Sequence, residues 1–169
     1  MEPPLFNLRA TTKLITRLKS VPTVPAEPTT RLGDWYANLF NVGRQQFAMF
    51  TSDRSLLTVV LPVKEMKPLP VTLTDRLRWL LRELKIPTAL INEELNQMRT
   101  CAVTKTANRS VLGSMNDHIF AVKIFLSESP PLGFAEIHRR LSEVPLKAIG
   151  YRFPRDVAFD LLESPNAQK

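Results

Sequence analysis

Apolar residues recur at helical spacing in several stretches of the chain, and one stripe is continuous. It consists of five leucines: Leu73, Leu77, Leu80, Leu81 and Leu84. This spacing is typical of an amphipathic helix with one buried face. Thr72 and Asp75 resemble a capping box at its start, and Pro87 ends it. We therefore predict that Leu77, Leu81 and Leu84 are nearly fully buried.

Weaker helical periodicity marks six further segments: 12–19, 34–42, 88–98, 111–126, 134–141 and 156–163. Around the second of them, Leu32, Trp35 and Leu39 recur at helical spacing. Asp34 is a suitable N-cap, and Gly43 ends the segment. The pattern thus predicts a short helix there, with Trp35 in the core.

Four segments are rich in β-branched and apolar residues and are predicted as strands: 5–10, 45–50, 56–63 and 100–104. The polar stretch 51–54 separates the second from the third, which predicts an antiparallel hairpin. The third is apolar on both faces, so we expect it in the centre of the sheet. Cys101 falls on the last strand, where we expect it to be at least half-buried and unreactive.

Proline marks the segment 20–30, where Pro22, Pro25 and Pro28 recur every third residue. Because proline fixes φ and removes a donor, we interpret this segment as an extended surface loop. The chain 1–169 is predicted to be a single α+β domain, in which a small, mainly antiparallel sheet packs against several α-helices. A frayed tail is expected at 164–169. Strands and helices do not alternate regularly, which disfavours a Rossmann-type parallel sheet.

The 169 residues carry 23 Lys and Arg against 16 Asp and Glu, a net charge of +7. This surplus favours an anionic partner: nucleic acid, a phosphorylated ligand or an acidic protein. The charges form no continuous block, so a basic tail is excluded. The longest apolar run, 56–63, is far shorter than the ~20 residues of a membrane span. We therefore expect a soluble, cytoplasmic protein with no membrane partner.

Metal and cofactor chemistry has little support in the sequence. The single cysteine, Cys101, excludes an intramolecular disulfide and a cysteine-based zinc site. The two histidines, His118 and His138, are 20 residues apart and belong to no paired-histidine motif. We expect neither a metal nor a cofactor.

The segment 105–110 joins the last predicted strand to a long helix and is the main candidate for a binding site. Asn108 or Ser110 can cap that helix, and the segment adds two positive charges. A helix N-terminus with free N–H groups attracts anions, although the glycines of a P-loop are missing. We predict that four residues bind phosphate or carboxylate: Lys105, Asn108, Arg109 and Ser110. A capped helix with two solvated cations is the simpler alternative.

A second polar cluster lies between Asp34 and Asn38. Tyr36 and Asn38 are candidates for contact with a ligand, since Trp35 is expected in the core. Candidates for acid–base catalysis are Asp34 and, on the long helix, Asp117 and His118, because carboxylates and imidazole transfer protons. For a lone helical histidine, a structural position is the commoner explanation.

Two longer motifs contain these clusters. One is the run 32–39, Leu-Gly-Asp-Trp-Tyr-Ala-Asn-Leu, and the other is the run 105–117, Lys-Thr-Ala-Asn-Arg-Ser-Val-Leu-Gly-Ser-Met-Asn-Asp. Together with the opening pattern at 8–14, they resemble a family of small bacterial proteins classed only as a domain of unknown function. The resemblance covers most of residues 5–145 and implies no activity, substrate or cofactor. It suggests that the two clusters are linked, and we expect them to line one pocket.

Three functions fit these observations. A module that binds nucleic acid or a phosphorylated ligand would use Lys105, Arg109 and the helix N-terminus. An enzyme acting on a nucleic-acid or phosphate substrate would add Asp34, Asp117 or His118 as acid–base groups. A protein-interaction component of a defence or toxin–antitoxin system would present its basic surface to an acidic protein. Binding comes first, because features of an anion site are clearer than a catalytic constellation.

Overall fold

Five strands form one mixed sheet in the computed structural model, which describes residues 4–164. The strands are β1 (Phe6–Ala10), β2 (Trp35–Val42), β3 (Gln45–Ser52), β4 (Thr58–Pro62) and β5 (Cys101–Lys105). Their order in the sheet is β4-β3-β2-β1-β5. β1 runs parallel to both of its neighbours, β2 and β5, whereas the β2–β3 and β3–β4 ladders are antiparallel.

Six α-helices lie within the described residues: α1 (Thr12–Leu18), α2 (Val71–Glu83), α3 (Thr88–Asn96), α4 (Arg109–Ser127), α5 (Phe134–Ser142) and α6 (Pro154–Glu163). Two short 3-10 turns, Val63–Glu65 and Lys147–Ile149, accompany them. Most paired residues of the sheet belong to its antiparallel ladders. The predicted α+β fold, a mainly antiparallel sheet packed against several helices, is confirmed.

Helices bury apolar side chains on both faces of the sheet. On what we call the first face, Leu8, Trp35 and Phe50 share an apolar cluster with α1, α2, α3 and α6. On the second face, Phe40 and Met49 share a cluster with α4 and α5. Because both faces of β2 and β3 are covered, most positions of these strands are buried.

The segment 35–42, predicted as a helix, is strand β2. The spacing of Trp35 and Leu39 also fits a strand, because both point to the first face while Tyr36 between them points to the second. A strand covered on both faces lacks the alternation of polar and apolar residues that would have revealed it. Asp34 therefore caps no helix, while Trp35 is fully buried as predicted.

Gly43, expected to end that helix, instead lies in the turn of a hairpin between β2 and β3. Gly43 and Arg44 alone separate the paired residues Val42 and Gln45. Gly43 has a φ of +61°, a left-handed conformation that short hairpin turns require and that glycine adopts without strain. The second hairpin, between β3 and β4, is present as predicted.

Strand β4 lies at one edge of the sheet, not in its centre as its apolar sequence predicts. All of its residues are buried because α2 packs on one face and α5 on the other. The Val60 N–H, which has no further strand to pair with, donates to Nε2 of the buried His138 at 2.9 Å. Burial by helices, not by neighbouring strands, thus explains the continuous apolar run.

Helix α2 begins without the predicted capping box. Its N-cap is Pro70, which makes no side-chain cap hydrogen bond, and Thr72 Oγ1 donates to the Pro68 carbonyl. Leu77 and Leu81 are fully buried as predicted. Leu84 follows the last residue of α2 and is only half-buried, so the prediction for that residue is wrong.

The two ends of the chain are described only in part. Residues 165–169 of the expected tail 164–169, and residues 1–3, lie outside the described residues. Within residues 4–164, no helix combines the length and the apolar character needed to cross a bilayer.

Candidate functional site

The strand order creates a switch point between β1 and β5. β1 is followed by α1, whose Leu14 packs on the first face. The adjacent parallel strand β5 is followed by α4, whose Val111 packs on the second face. Neighbouring parallel strands whose helices go to opposite faces leave a crevice at their carboxyl ends, and α/β proteins bind ligands there. The corresponding position in this chain, which we call the crevice, lies between segments 10–12 and 105–109.

On the second face, β2, β3 and β4 carry mainly apolar side chains, whereas β1 and β5 carry three polar ones. These are Asn7 and Arg9 of β1, with Thr104 paired to Arg9 on β5. Asn7 and Thr104 are fully buried. Within the described residues, Thr104 Oγ1 has no hydrogen-bond partner. Helices α4 and α5 pack mainly over β2, β3 and β4, so another part of the chain must cover this polar face.

The proline-rich segment supplies that cover. Residues 20–29 contain neither helix nor strand. The segment leaves α1 on the first face and passes the edge of β5, where the Thr23 N–H donates to the Val103 carbonyl at 2.9 Å. On the second face, Ala26 exchanges two hydrogen bonds with the Asn7 side chain. The segment thus wraps the sheet edge and covers the Asn7 end of the polar face.

Arg9 connects the two polar clusters. Its Nε donates to Asp34 Oδ2 at 3.1 Å, and its Nη1 donates to the Lys105 carbonyl at 3.4 Å. Asp34 is 4% exposed, and its Oδ1 accepts from the backbone and side-chain N–H groups of Asn7. A buried carboxylate needs such partners because losing water is costly. Arg9 and Asn7 therefore already occupy both carboxylate oxygens of Asp34.

Tyr36 and Asn108 make the second connection between the clusters. The hydroxyl of the buried Tyr36 accepts a hydrogen bond from the Asn108 N–H at 2.9 Å. Further along β2, the Asn38 side chain accepts from Thr11 Oγ1 at 3.0 Å, at the start of α1. Both loops of the crevice are thereby attached to β2. The two clusters are in contact, and a ligand shared between them stays a prediction.

The start of α4 has fewer free N–H groups than expected. Asn108 is the N-cap, and its Oδ1 accepts from the N–H groups of Ser110 and Val111 at 2.9 and 3.2 Å. Ser110, the alternative cap, lies in the first turn. The protein itself thus satisfies these backbone donors. An anion would depend mainly on the exposed side chains of Lys105 and Arg109.

Among the described residues, no side-chain hydrogen bond or ion pair joins Asp117 or His118 to the crevice residues. Asp117 is exposed on α4, about two turns from its start. His118 is 1% exposed, and its Nδ1 lies 3.0 Å from Thr58 Oγ1 on the β4 edge strand. Burial lowers the pKa of His118 to about 4, so its imidazole is neutral at neutral pH. That environment suits a core hydrogen bond better than proton exchange with a ligand.

The structure adds Asp53, which no sequence pattern singled out. It lies opposite Asp34, whose N–H donates to Asp53 Oδ1 at 3.0 Å, and the Asp53 N–H donates back to the Asp34 carbonyl at 2.9 Å. Burial, and then the Asp34 carboxylate, raise the pKa of Asp53 to about 6. This environment depends on strand pairing, so a polar turn in the sequence gave no signal for it. Within residues 4–164, no three His, Cys, Asp or Glu side chains are grouped to hold a metal ion.

Replacing Asp53 by Asn should stabilise the protein at neutral pH. The folded state holds the Asp53 proton up to a pKa of about 6, against an ordinary value of 3.8. The contribution of Asp53 to the free energy of unfolding is therefore greatest below pH 3.8, and it falls as the pH rises from 3.8 to about 6. Asn keeps the acceptor for the Asp34 N–H without the charge. We expect Asp53→Asn to raise the free energy of unfolding by about 1–2 kcal/mol at about pH 7, allowing for solvent screening of a part-exposed group.

Urea unfolding at about pH 4 and about pH 7 measures this effect. The gain should appear at the higher pH and nearly vanish at the lower one, because Asp53 is then protonated in the folded state. Asp117→Asn, a change of the same kind at an exposed position of α4, serves as the control and should alter neither value. A loss of stability at about pH 7 would contradict the expected cost of the Asp53 charge.

Residues 7–157 match the model of a protein family described as "Domain of unknown function (DUF6933)". The matched part contains both polar clusters, Arg9 and Asp53. No curated protein and no solved structure matches the chain.

Proposed function

The chain belongs to this family, the domain of unknown function DUF6933, and we propose that it binds a compact phosphorylated ligand at the switch point between β1 and β5. The observation that carries the proposal is the position of Lys105 and Arg109 at the end of β5. Here the helices that follow the parallel strands β1 and β5 pack on opposite faces of the sheet. Crevices of this kind hold ligands in α/β proteins. The N-terminal end of α4 adds a dipole that favours an anion.

The charges around the crevice support an anionic ligand. Asp34, which is linked to the crevice through Arg9, is paired with that arginine. Among the described residues, Lys105 and Arg109 take part in no ion pair, and both are exposed. A phosphate group can accept charge-assisted hydrogen bonds from both side chains at once.

Elsewhere on the surface, several basic residues are paired with carboxylates and are less available to a nucleic-acid backbone. Five arginines pair with nearby carboxylates: Arg76, Arg139, Arg140, Arg152 and Arg155. Binding of a polynucleotide relies on a series of cations that are free to contact successive phosphates. A small phosphorylated molecule needs only the two cations at the crevice. This favours a compact ligand over nucleic acid.

Pyrophosphate is a suitable probe, and isothermal titration calorimetry at low salt measures its affinity. We expect the double variant Lys105→Ala/Arg109→Ala to bind it at least about tenfold more weakly, because hydrogen bonds to charged groups contribute about 1.5–3 kcal/mol each. The fold should persist, since exposed side chains add little to stability.

A matched control removes the same charge elsewhere. Lys64 lies in the 3-10 turn after β4, Arg82 lies on α2, and both are exposed. The double variant Lys64→Ala/Arg82→Ala should bind pyrophosphate as the unchanged protein does. Equal losses in the two double variants would mean that only net charge matters, and would overturn the proposal. Tighter binding of a single-stranded oligonucleotide, weakened by either double variant, would favour nucleic acid instead.

A further inference from the structure

A cavity of about 330 Å³ opens on the first face of the sheet, the face opposite to Arg9. Its floor is formed by Leu8 of β1 with Cys101 and Val103 of the edge strand β5. The floor residues are apolar because they belong to the core side of the sheet. The cavity is therefore separate from the crevice of the proposed phosphate site.

The cavity exists because the helices of the first face stop short of β5. Helix α1 has 7 residues and ends where Lys19 adopts a φ of +55°, after which the chain leaves this face. The next helix of this face, α2, begins only at Val71. Leu18 and Leu69, from the end of α1 and the approach to α2, line the cavity between them.

Several apolar side chains around this cavity remain in contact with solvent. Leu18, Leu69, Cys101 and Val103 are all half-buried, whereas the neighbouring Leu8 is fully buried. Covering apolar surface is favourable by about 25 cal/mol per Å². The volume lies at the lower end of the range of about 300–1,000 Å³ found for ligand sites. In volume and in apolar lining, the cavity thus suits a ligand with a slender apolar group.

A single charged residue, Lys67, lines the cavity, and no acidic residue does. Lys67 is exposed, and among the described residues it takes part in no ion pair. Its ammonium group attracts an anion, while the leucines attract an alkyl chain. A molecule that joins one carboxylate to one alkyl chain complements both features.

We propose that this cavity binds a fatty acid of medium chain length. The alkyl chain lies between Leu18 and Leu69 above the β5 side chains, and the carboxylate pairs with Lys67. Chain length is limited by the volume of the cavity, so affinity rises with each methylene until the space is filled and then levels off.

Decanoate below its micellar concentration is the probe, titrated calorimetrically into the full chain. We expect saturable binding, which Lys67→Gln weakens by about fivefold through loss of one rim charge. Lys64→Gln, at an exposed lysine outside the cavity, should leave it unchanged. Decyltrimethylammonium, with the same chain and the opposite charge, should bind at least about tenfold more weakly than decanoate.

Two filling variants test whether the ligand occupies the cavity itself. Val103→Phe fills the cavity from the floor, and Leu18→Trp fills it from the wall, at the last residue of α1 and outside the sheet. Either variant, once shown to be folded by circular dichroism, should abolish decanoate binding. Unchanged binding in a folded filling variant would overturn the proposal, as would equal affinity for the anionic and the cationic amphiphile.

Cys101 provides a second measurement because its thiol lies in the cavity floor. Bound decanoate should slow labelling of Cys101 by N-ethylmaleimide by about tenfold, since the alkyl chain blocks access to the sulfur. Burial also raises the pKa of this thiol, so slow labelling is expected even without ligand. Labelling at the same rate with and without saturating decanoate would place the fatty acid elsewhere and contradict the proposal.

Discussion

Replacing Gly33 by Ala is expected to destabilise the protein by about 2–4 kcal/mol. Gly33 has a φ of +80°, a conformation that costs a residue with a Cβ about 1–2 kcal/mol. The added Cβ would also lie 2.2 Å from Asp53 Oδ1. That oxygen cannot move away freely because the Asp34 N–H donates to it. Alanine therefore forces either the turn or this part-buried hydrogen bond to change.

Gly43→Ala is the matched control for this change. Gly43 has a φ of +61°, but a Cβ there would meet nothing within 4 Å, so only the backbone cost of about 1 kcal/mol applies. Thermal unfolding of both variants separates the two effects. Asp53→Ala should recover part of the loss in the Gly33→Ala background, since it removes the clashing oxygen. Equal losses at the two glycines would show that the contact with Asp53 is unimportant.

Leu81→Ala is expected to lower the free energy of unfolding by about 2–5 kcal/mol. Leu81 is fully buried in the cluster that joins α2 to the first face of the sheet. Removing its side chain loses apolar burial and leaves a cavity that a close-packed core fills only in part. Urea unfolding monitored by tryptophan fluorescence measures this loss.

Leu84→Ala makes the same chemical change just beyond the end of α2, where the leucine is only half-buried. We expect a loss of about 1 kcal/mol there, because the half-buried Leu84 side chain contributes less buried apolar surface than Leu81 does. A loss below about 1 kcal/mol at Leu81, or a larger loss at Leu84 than at Leu81, would be incompatible with the packing of α2 described above.

Elements with one polar face were predictable from the sequence. The leucine stripe of α2 and the Asn108 cap of α4 depend on residues within a few positions of one another, and such local patterns can be recognised without the fold. β2 was missed because helices cover both of its faces, which removes the alternation that identifies a strand. The prediction that β4 lies in the centre of the sheet was wrong for the same reason, because helices cover both faces of this edge strand.

The candidate site was predictable only in part. The segments around Tyr36 and Asn108 were singled out by their polar residues and family resemblance, and the hydrogen bond between these two residues brings them together. Arg9 and Asp53 were missed, because a single arginine in a strand and an aspartate in a turn resemble ordinary surface residues. Their importance comes from Asp34, which each of them contacts through pairing with β2.

Net charge, the Asn108 cap of α4 and the amphipathic stripes were determined by the sequence itself, because each depends on composition or on neighbours along one helix. Only the tertiary structure decided that β1 lies between β2 and β5 with both neighbours parallel. That arrangement creates the switch point and places Arg9 between Asp34 and the Lys105 carbonyl. The physical reason is that strand order is set by which buried surfaces fit together across the whole chain, and no local pattern of residues contains that information.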